Sequence, residues 1–141
     1  MDITEIIFKP IGYIETPYKD PKSTPPDPDE SDIIAKIIIF PEYRECIFGL
    51  FPGDTILVIS YLHLAKYKGP VVKRRCDGQP RGIFATRSPS RPNPIATSIT
   101  KIEEIENNII YVRGIDLIDK TPILDIKIWN DKGGYHAKTH K

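Results

Sequence analysis

Apolar positions along this chain come in short runs of strand length, and the breaks between them carry Gly, Pro, Asn and Asp. Ile33-Ile-Ala-Lys-Ile-Ile-Ile-Phe40 is strongly β-branched and reads as a strand. Thr55 to Leu62 is the most hydrophobic run, which makes it a central strand, with His63 directly at its C-terminal end. Ile95 to Ile102 alternates, with Ile95, Thr97 and Ile99 on one face and Ala96, Ser98 and Thr100 on the other. Asn107-Asn108 supplies a hairpin turn into Ile109 to Arg113, because Asn tolerates positive φ. Gly114 breaks that run, Ile115 to Asp119 alternates apolar and acidic, Thr121-Pro122 turns the chain, and Ile123 to Trp129 is the last strand. Ile7 to Glu15 reads as a first strand at a sheet edge or strand start, since Pro10 cannot donate to a ladder. Pro70 to Arg75, followed by the turn signal Asp77-Gly78, and Ile83-Phe84-Ala85 read as further short strands. One helical pattern stands out, Pro41 to Leu50, with Pro at the first helical position and Tyr43, Cys46, Ile47 and Leu50 on one face. About seven to nine short strands against one short helix predict an all-β fold, a mostly antiparallel β-barrel.

The 141 residues suit one domain, 1–141, able to bury a core, and 40% apolar content marks a globular chain. The polar end, 130–141, is expected to be a mobile tail. Residues 16–32 hold five prolines and five acids. The stretch is too short to separate domains of useful size and reads as a long functional or mobile loop. No apolar run reaches membrane-spanning length and no signal-peptide pattern opens the chain, so a cytoplasmic protein is expected. Cys46 and Cys76 match no metal spacing and are expected as free thiols, with no structural metal.

The net charge of +1 is unevenly spread. Residues 66–91 hold eight Lys or Arg against Asp77 alone, whereas residues 1–65 hold five basic against eleven acidic residues. A local basic field favours a polyanion such as RNA; the competing reading is a solvated basic face balanced by the acidic first half.

Within that basic stretch lies Arg81-Gly-Ile-Phe-Ala-Thr-Arg-Ser-Pro-Ser-Arg-Pro-Asn-Pro-Ile95. Pro89, Pro92 and Pro94 fix φ, and each pushes the residue before it into an extended conformation. A stiff loop presenting preset polar groups loses little entropy on binding. Arg87 and Arg91, four apart, could straddle an anion or a planar base. The plain alternative is a proline-stiffened surface turn with solvated arginines. His63 reads equally as a functional or a hydrogen-bonding residue. Asp116 and Asp119, three apart on a strand, face opposite sides and cannot form a simple pair; each is a ligand acceptor or a turn cap. No nucleophile elbow, dinucleotide fingerprint or zinc signature is present.

Three segments in order, Ile11-Gly-Tyr-Ile-Glu-Thr-Pro-Tyr-Lys19, Gly82 to Ile95, and Ile115-Asp-Leu-Ile-Asp-Lys-Thr-Pro-Ile-Leu-Asp-Ile126, resemble the TrmO family, also called TsaA-like. The resemblance implies a β-barrel that binds S-adenosylmethionine, a homodimer, and N6-methylation of threonylcarbamoyl-adenosine at position 37 of tRNA. Carried over by position, the cofactor contacts fall at Pro25, Pro26 and Asp27, at His63 and Leu64, at Arg87, and at Arg113, Gly114, Ile115 and Asp116. The chain departs from the family where Gln is common (Asp27), where a polar residue is common (Leu64), at Asp54-Thr-Ile-Leu57 and Ala96-Thr97, and in its shorter C-terminal region.

Methyl transfer to a weakly nucleophilic N6 needs alignment and a group that orients its proton. Candidates are Asp116, Asn93 and Tyr13. Lys73, Arg74, Arg75, Arg81 and Arg91 would hold the phosphates of the anticodon stem-loop. Phe84 or Tyr61 could stack on an unpaired base, core packing being the default role of each. A barrel that binds S-adenosylmethionine or RNA without turnover is the alternative of a different class.

Overall fold

The computed structural model describes residues 3–19 and 33–130. Six strands close a barrel in the order β1 (Gly12–Glu15), β2 (Ile34–Ile39), β7 (Ile109–Arg113), β6 (Ile95–Glu106), β3 (Thr55–Tyr61) and β8 (Pro122–Trp129). β8 returns to β1 through Gly12↔Ile123 and Tyr13↔Pro122. Every pairing is antiparallel. A separate two-stranded ribbon, β4 (Val71–Lys73) with β5 (Pro80–Gly82), stands outside the barrel between β3 and β6.

The β-branched runs fill the barrel because alternate positions turn inward. Ile14, Ile37, Ile39, Ile56, Val58, Ile102, Ile110, Val112 and Ile123 are all buried. Six strands enclose a narrow interior, which favours small inward side chains at some levels. Ala35, Ser60 and Thr100 occupy such positions. On β6 this overrides hydrophobicity. The pairs Val58↔Ser98 and Ile56↔Thr100 place Ser98 and Thr100 inward, and Ile99, opposite Leu57, stands outward with 51% of its surface exposed.

Gly12 permits a close approach of β1 to β2: a Cβ there would overlap the carbonyl oxygen of Ile38. Hairpin β6–β7 turns at Asn107 with φ 54°, as its sequence predicts. β6 runs past the expected end at Ile102 to Glu106.

Some expected elements differ, among them Ile115 to Asp119, expected on a strand, which lies outside the ladder in the connection from β7 to β8. The first strand is confined to Gly12–Glu15, because Ile7 to Pro10 lie outside the ladder and Ile7 and Phe8 are exposed. Pro41–Ile47 is a 3-10 helix rather than a helix to Leu50; it buries Ile47 and, with Leu50 packed beside it, covers one barrel end. Ile83–Ala85 is a single 3-10 turn rather than a strand: the ribbon ladder ends where the Ile83 N–H donates to the Pro70 carbonyl at 2.8 Å, and the Thr86 N–H then closes the turn onto the Ile83 carbonyl at 3.1 Å. Cys46 and Cys76 are exposed free thiols. No helix among the described residues is long and apolar enough to cross a membrane, and no group of three His, Cys, Asp or Glu among them could hold a metal.

Candidate functional site at one rim of the barrel

Antiparallel order puts the ends of β1, β7 and β3 and the starts of β2, β6 and β8 at one rim. Three connections leave from it: 16–33, 62–94 and 114–121. Among the described residues, all the carried-over cofactor positions lie on these connections or, for Arg113, at the adjoining strand end. Pro25, Pro26 and Asp27 lie outside the described residues.

The arginine loop is held from within. Thr86 donates its Oγ1 to the Ile83 carbonyl at 2.8 Å, and Arg91 donates Nη1 to the carbonyls of Thr86 at 2.8 Å and Ser88 at 3.2 Å. Arg91 therefore staples the loop, the role of an internal brace. Ser90 Oγ accepts from the Lys68 backbone N–H at 2.9 Å and ties the loop to the preceding basic segment. At the loop base, Leu62 N–H donates to the Pro94 carbonyl at 2.8 Å, continuing the β3–β6 ladder. Arg87 leaves the loop and hooks over β6, donating Nη2 to the Thr97 carbonyl at 2.8 Å and to its Oγ1 at 2.9 Å. Its remaining N–H donors lie on an exposed side chain.

The 114–121 connection divides its two acids. Gly114 takes φ 73°, and Ile115 and Leu117 then plug the barrel interior with 2% and 4% of their surface exposed. Asp116, between them, turns away from the core and is half-buried, without a hydrogen-bond or ion-pair partner among the described residues. Asp119 is engaged instead: it accepts the Thr16 backbone N–H at 3.0 Å and the Lys19 ammonium at 2.9 Å. Burial raises its pKa, but the Lys19 and Thr16 hydrogen bonds and the charges of Lys19 and Lys120 outweigh it and hold the carboxyl below its usual range. Arg113 pairs with Glu103 at 2.7 Å, and its carbonyl accepts the Thr100 hydroxyl.

His63 is half-buried with its Nδ1 buried and lacking a partner, and Leu64 beside it is 53% exposed. Of the proton-orienting candidates, Asn93 is exposed on the arginine loop and Asp116 stands on the neighbouring connection of the same rim. Tyr13 faces outward on β1, its ring 6.1 Å from Phe40 and beneath the ammonium of Lys120, which lies on the same connection as Asp116, at 5.0 Å. Two clefts are formed by other residues. One, of about 330 Å³, lies beside Thr16, Lys36 and Asp119; the other, of about 400 Å³, is apolar and lies between the first 3-10 helix and β8.

The ribbon carries the basic stretch outward. At its tip Arg74 pairs with Asp77, and Gln79 N–H donates to the same carboxylate at 2.9 Å. Arg74, through the first and larger effect, and Gln79 hold the Asp77 carboxyl below its usual range. Arg74 is thereby spent on the turn, leaving Lys73, Arg75 and Arg81 exposed. The expected core role of Phe84 and Tyr61 is overturned: they are 83% and 44% exposed. Ile83 is the anchor in that turn, which leaves Phe84 outside. Thr97 and Glu103, the partners of Arg87 and Arg113, escaped sequence reasoning because each lies ten residues from its arginine with no spacing rule to link them.

The profile of the tRNA-methyltransferase O N-terminal domain matches residues 13–132. The chain belongs to this family. A relative from Pyrococcus abyssi, named a probable S-adenosyl-L-methionine-binding protein, is 39% identical over 86% of this chain and 67% of its own length. The tRNA (adenine(37)-N6)-methyltransferase of Mus musculus is 33% identical over 90% of this chain but only 31% of its own length. The crystal structure of TrmO from Pseudomonas aeruginosa superposes with a TM-score of 0.76 at 26% identity, covering 97% of this chain and 62% of that one. This TrmO-type barrel thus spans about three-fifths of the solved TrmO chain and about a third of the mouse enzyme.

Proposed function

We propose that this chain is an S-adenosylmethionine-dependent methyltransferase acting on N6 of adenosine 37 in tRNA, with threonylcarbamoyl-adenosine as the acceptor. The observation that carries it is the single rim from which the connections bearing Arg87, His63, Leu64 and Asp116 leave, joined to the names borne by the relatives.

The residues present fit a zwitterionic sulfonium nucleoside. Arg87, already oriented by Thr97, offers guanidinium donors to a carboxylate. Asp116 offers an acceptor without a competing partner to a ribose hydroxyl or an ammonium. The unpartnered Nδ1 of His63 offers a second polar contact, and Leu64 an apolar one. Pro25, Pro26 and Asp27 complete the set in this reading. When bound, the cofactor supplies an activated methyl group. The chain has to hold the acceptor nitrogen in line with it; the Asp116 carboxylate takes the N6 proton, and the Asn93 amide oxygen orients the N6–H by accepting its hydrogen bond.

Lys73, Arg75 and Arg81 on the ribbon contact the phosphates of the anticodon stem-loop. The functional unit is a homodimer in the cytoplasm. Its supporting observation is the outer wall of β3 and β6, where Tyr61 and Ile99 are 44% and 51% exposed beside Leu57 and Ile59.

The test is transfer of labelled methyl from S-adenosylmethionine to tRNA bearing threonylcarbamoyl-adenosine, with unmodified tRNA alongside. Label in the modified tRNA alone is the expected result. Label in both keeps the enzyme and rejects the finer acceptor. No label with the cofactor still binding makes the barrel a non-catalytic binding module.

A further inference from the structure

Phe84 is a large apolar side chain with 83% of its surface in water, yet nothing about its setting is loose. Its predecessor Ile83 is buried and hydrogen-bonded to Pro70, the turn after it is closed by Thr86 onto Ile83, and Arg91 clamps Thr86 in turn. A rigid turn holding a phenyl ring out of the core is costly in water and suits a ring that meets a flat partner.

The surroundings identify the partner's charge. Phe84 lies between Arg81 at the end of the ribbon and Arg87 at the start of the arginine loop, all three exposed. Lys66 and Lys68 flank Tyr67, itself 50% exposed, and Lys68 is tied to the arginine loop through Ser90. Of the eight basic side chains over residues 66–91, Arg74 is paired with Asp77, Arg91 braces the loop and Arg87 is held on Thr97, which leaves Lys66, Lys68, Lys73, Arg75 and Arg81 exposed. Aromatic faces set among phosphate-binding cations are the arrangement that receives single-stranded nucleic acid, because every base offers a face to stack on.

We infer that Phe84 is a stacking platform for an unpaired base of the RNA substrate, placed beside the acceptor adenosine's loop by the ribbon and the arginine loop. This rests on the tRNA reading above and adds to it a residue that reads single-strandedness rather than charge. Phosphate contacts from Lys73, Arg75 and Arg81 would be satisfied by any duplex; a stacking ring would not.

The experiment uses the full chain and two labelled probes of equal length, an RNA hairpin with an unpaired loop and a fully paired RNA duplex, followed by fluorescence anisotropy. Phe84→Ala is expected to weaken hairpin binding about tenfold while duplex binding changes by less than about twofold, and Phe84→Trp is expected to restore the hairpin affinity. In methyl transfer, Phe84→Ala should raise KM for tRNA and leave kcat near wild type. Hairpin affinity unchanged in Phe84→Ala overturns the inference, as does an equal loss on both probes. Loss of self-association in sedimentation with unchanged RNA affinity assigns the ring to a protein contact and also overturns it. A wild-type chain that binds neither probe overturns the tRNA reading itself, an outcome separate from the others.

Discussion

Arg87 and Thr97 are joined by two hydrogen bonds from one guanidinium nitrogen, 2.8 Å to the carbonyl and 2.9 Å to the hydroxyl. The contact pins a mobile type of side chain across β6, so that its free edge is aimed before a ligand arrives. Arg87→Ala should weaken S-adenosylmethionine binding about 10- to 100-fold, the worth of a charge-assisted hydrogen bond. Thr97→Val removes only the hydroxyl contact and should cost about two- to fivefold, within the range of one neutral hydrogen bond. Isothermal titration calorimetry decides; equal affinity in Arg87→Ala would reject its cofactor role.

Asp116 and Asp119 should separate cleanly on substitution. Asp116 makes no contact that holds the fold, so Asp116→Asn should leave thermal stability within about 0.5 kcal/mol. Its methyl-transfer rate should nonetheless fall at least about tenfold, as expected when an acceptor of a proton or a ligand contact is lost. An unchanged rate in that variant would remove Asp116 from the site.

Asp119 should give the barrel a pH dependence. Its folded pKa is depressed, so its contribution is fully present above the ordinary carboxylate value, about pH 4, and is lost as pH falls through the folded value. Thermal melts from pH 7 downward should show stability falling in the acid range. Asp119→Asn should start lower and show a shallower fall. A mutant curve parallel to wild type would mean that other carboxylates dominate.

Gly12→Ala tests a tight strand contact. The added methyl collides with the Ile38 carbonyl, part of the backbone of β2 that cannot rotate away. Overpacking of this kind costs about 1–3 kcal/mol, and a midpoint several degrees lower should follow in differential scanning calorimetry.

Salt should report on the ribbon. If Lys73, Arg75 and Arg81 hold phosphates, tRNA affinity falls linearly on a log–log plot against salt, and Arg75→Ala or Arg81→Ala should each reduce the slope by about one. Arg74→Ala should do something else. It frees Asp77 and loosens the tip, so affinity drops together with protection of the tip amides in hydrogen exchange. A salt-independent affinity would exclude the ribbon as a phosphate contact.

Much of the strand list was legible along the chain. Ile33 to Phe40, Thr55 to Leu62, Ile109 to Arg113 and Ile123 to Trp129 are dense in β-branched residues, and the structure places strands on each. Asn107 announced its turn through its tolerance of positive φ. The motif from Gly82 to Ile95 carried the resemblance to the family through its run of arginines and prolines. These features depend on neighbours in sequence, which is why a sequence can carry them.

What depended on distant partners could not be read. Both faces of Ile95 to Ile102 alternate equally well, and only pairing with β3 in a narrow barrel turned Ser98 and Thr100 inward and Ile99 out. Ile83-Phe84-Ala85 has strand composition, but Thr86 bonds back to the Ile83 carbonyl through its N–H and hydroxyl and closes a turn that leaves Phe84 outside. Asp116 and Asp119 looked alike until Thr16 and Lys19, 103 and 100 residues away, claimed the second. By itself the sequence determined which segments are strands and which loop is stiff and cationic. Closure of six antiparallel strands decided that the connections bearing Arg87, His63 and Asp116 leave from one rim, since only the pairing order sets which strand ends meet.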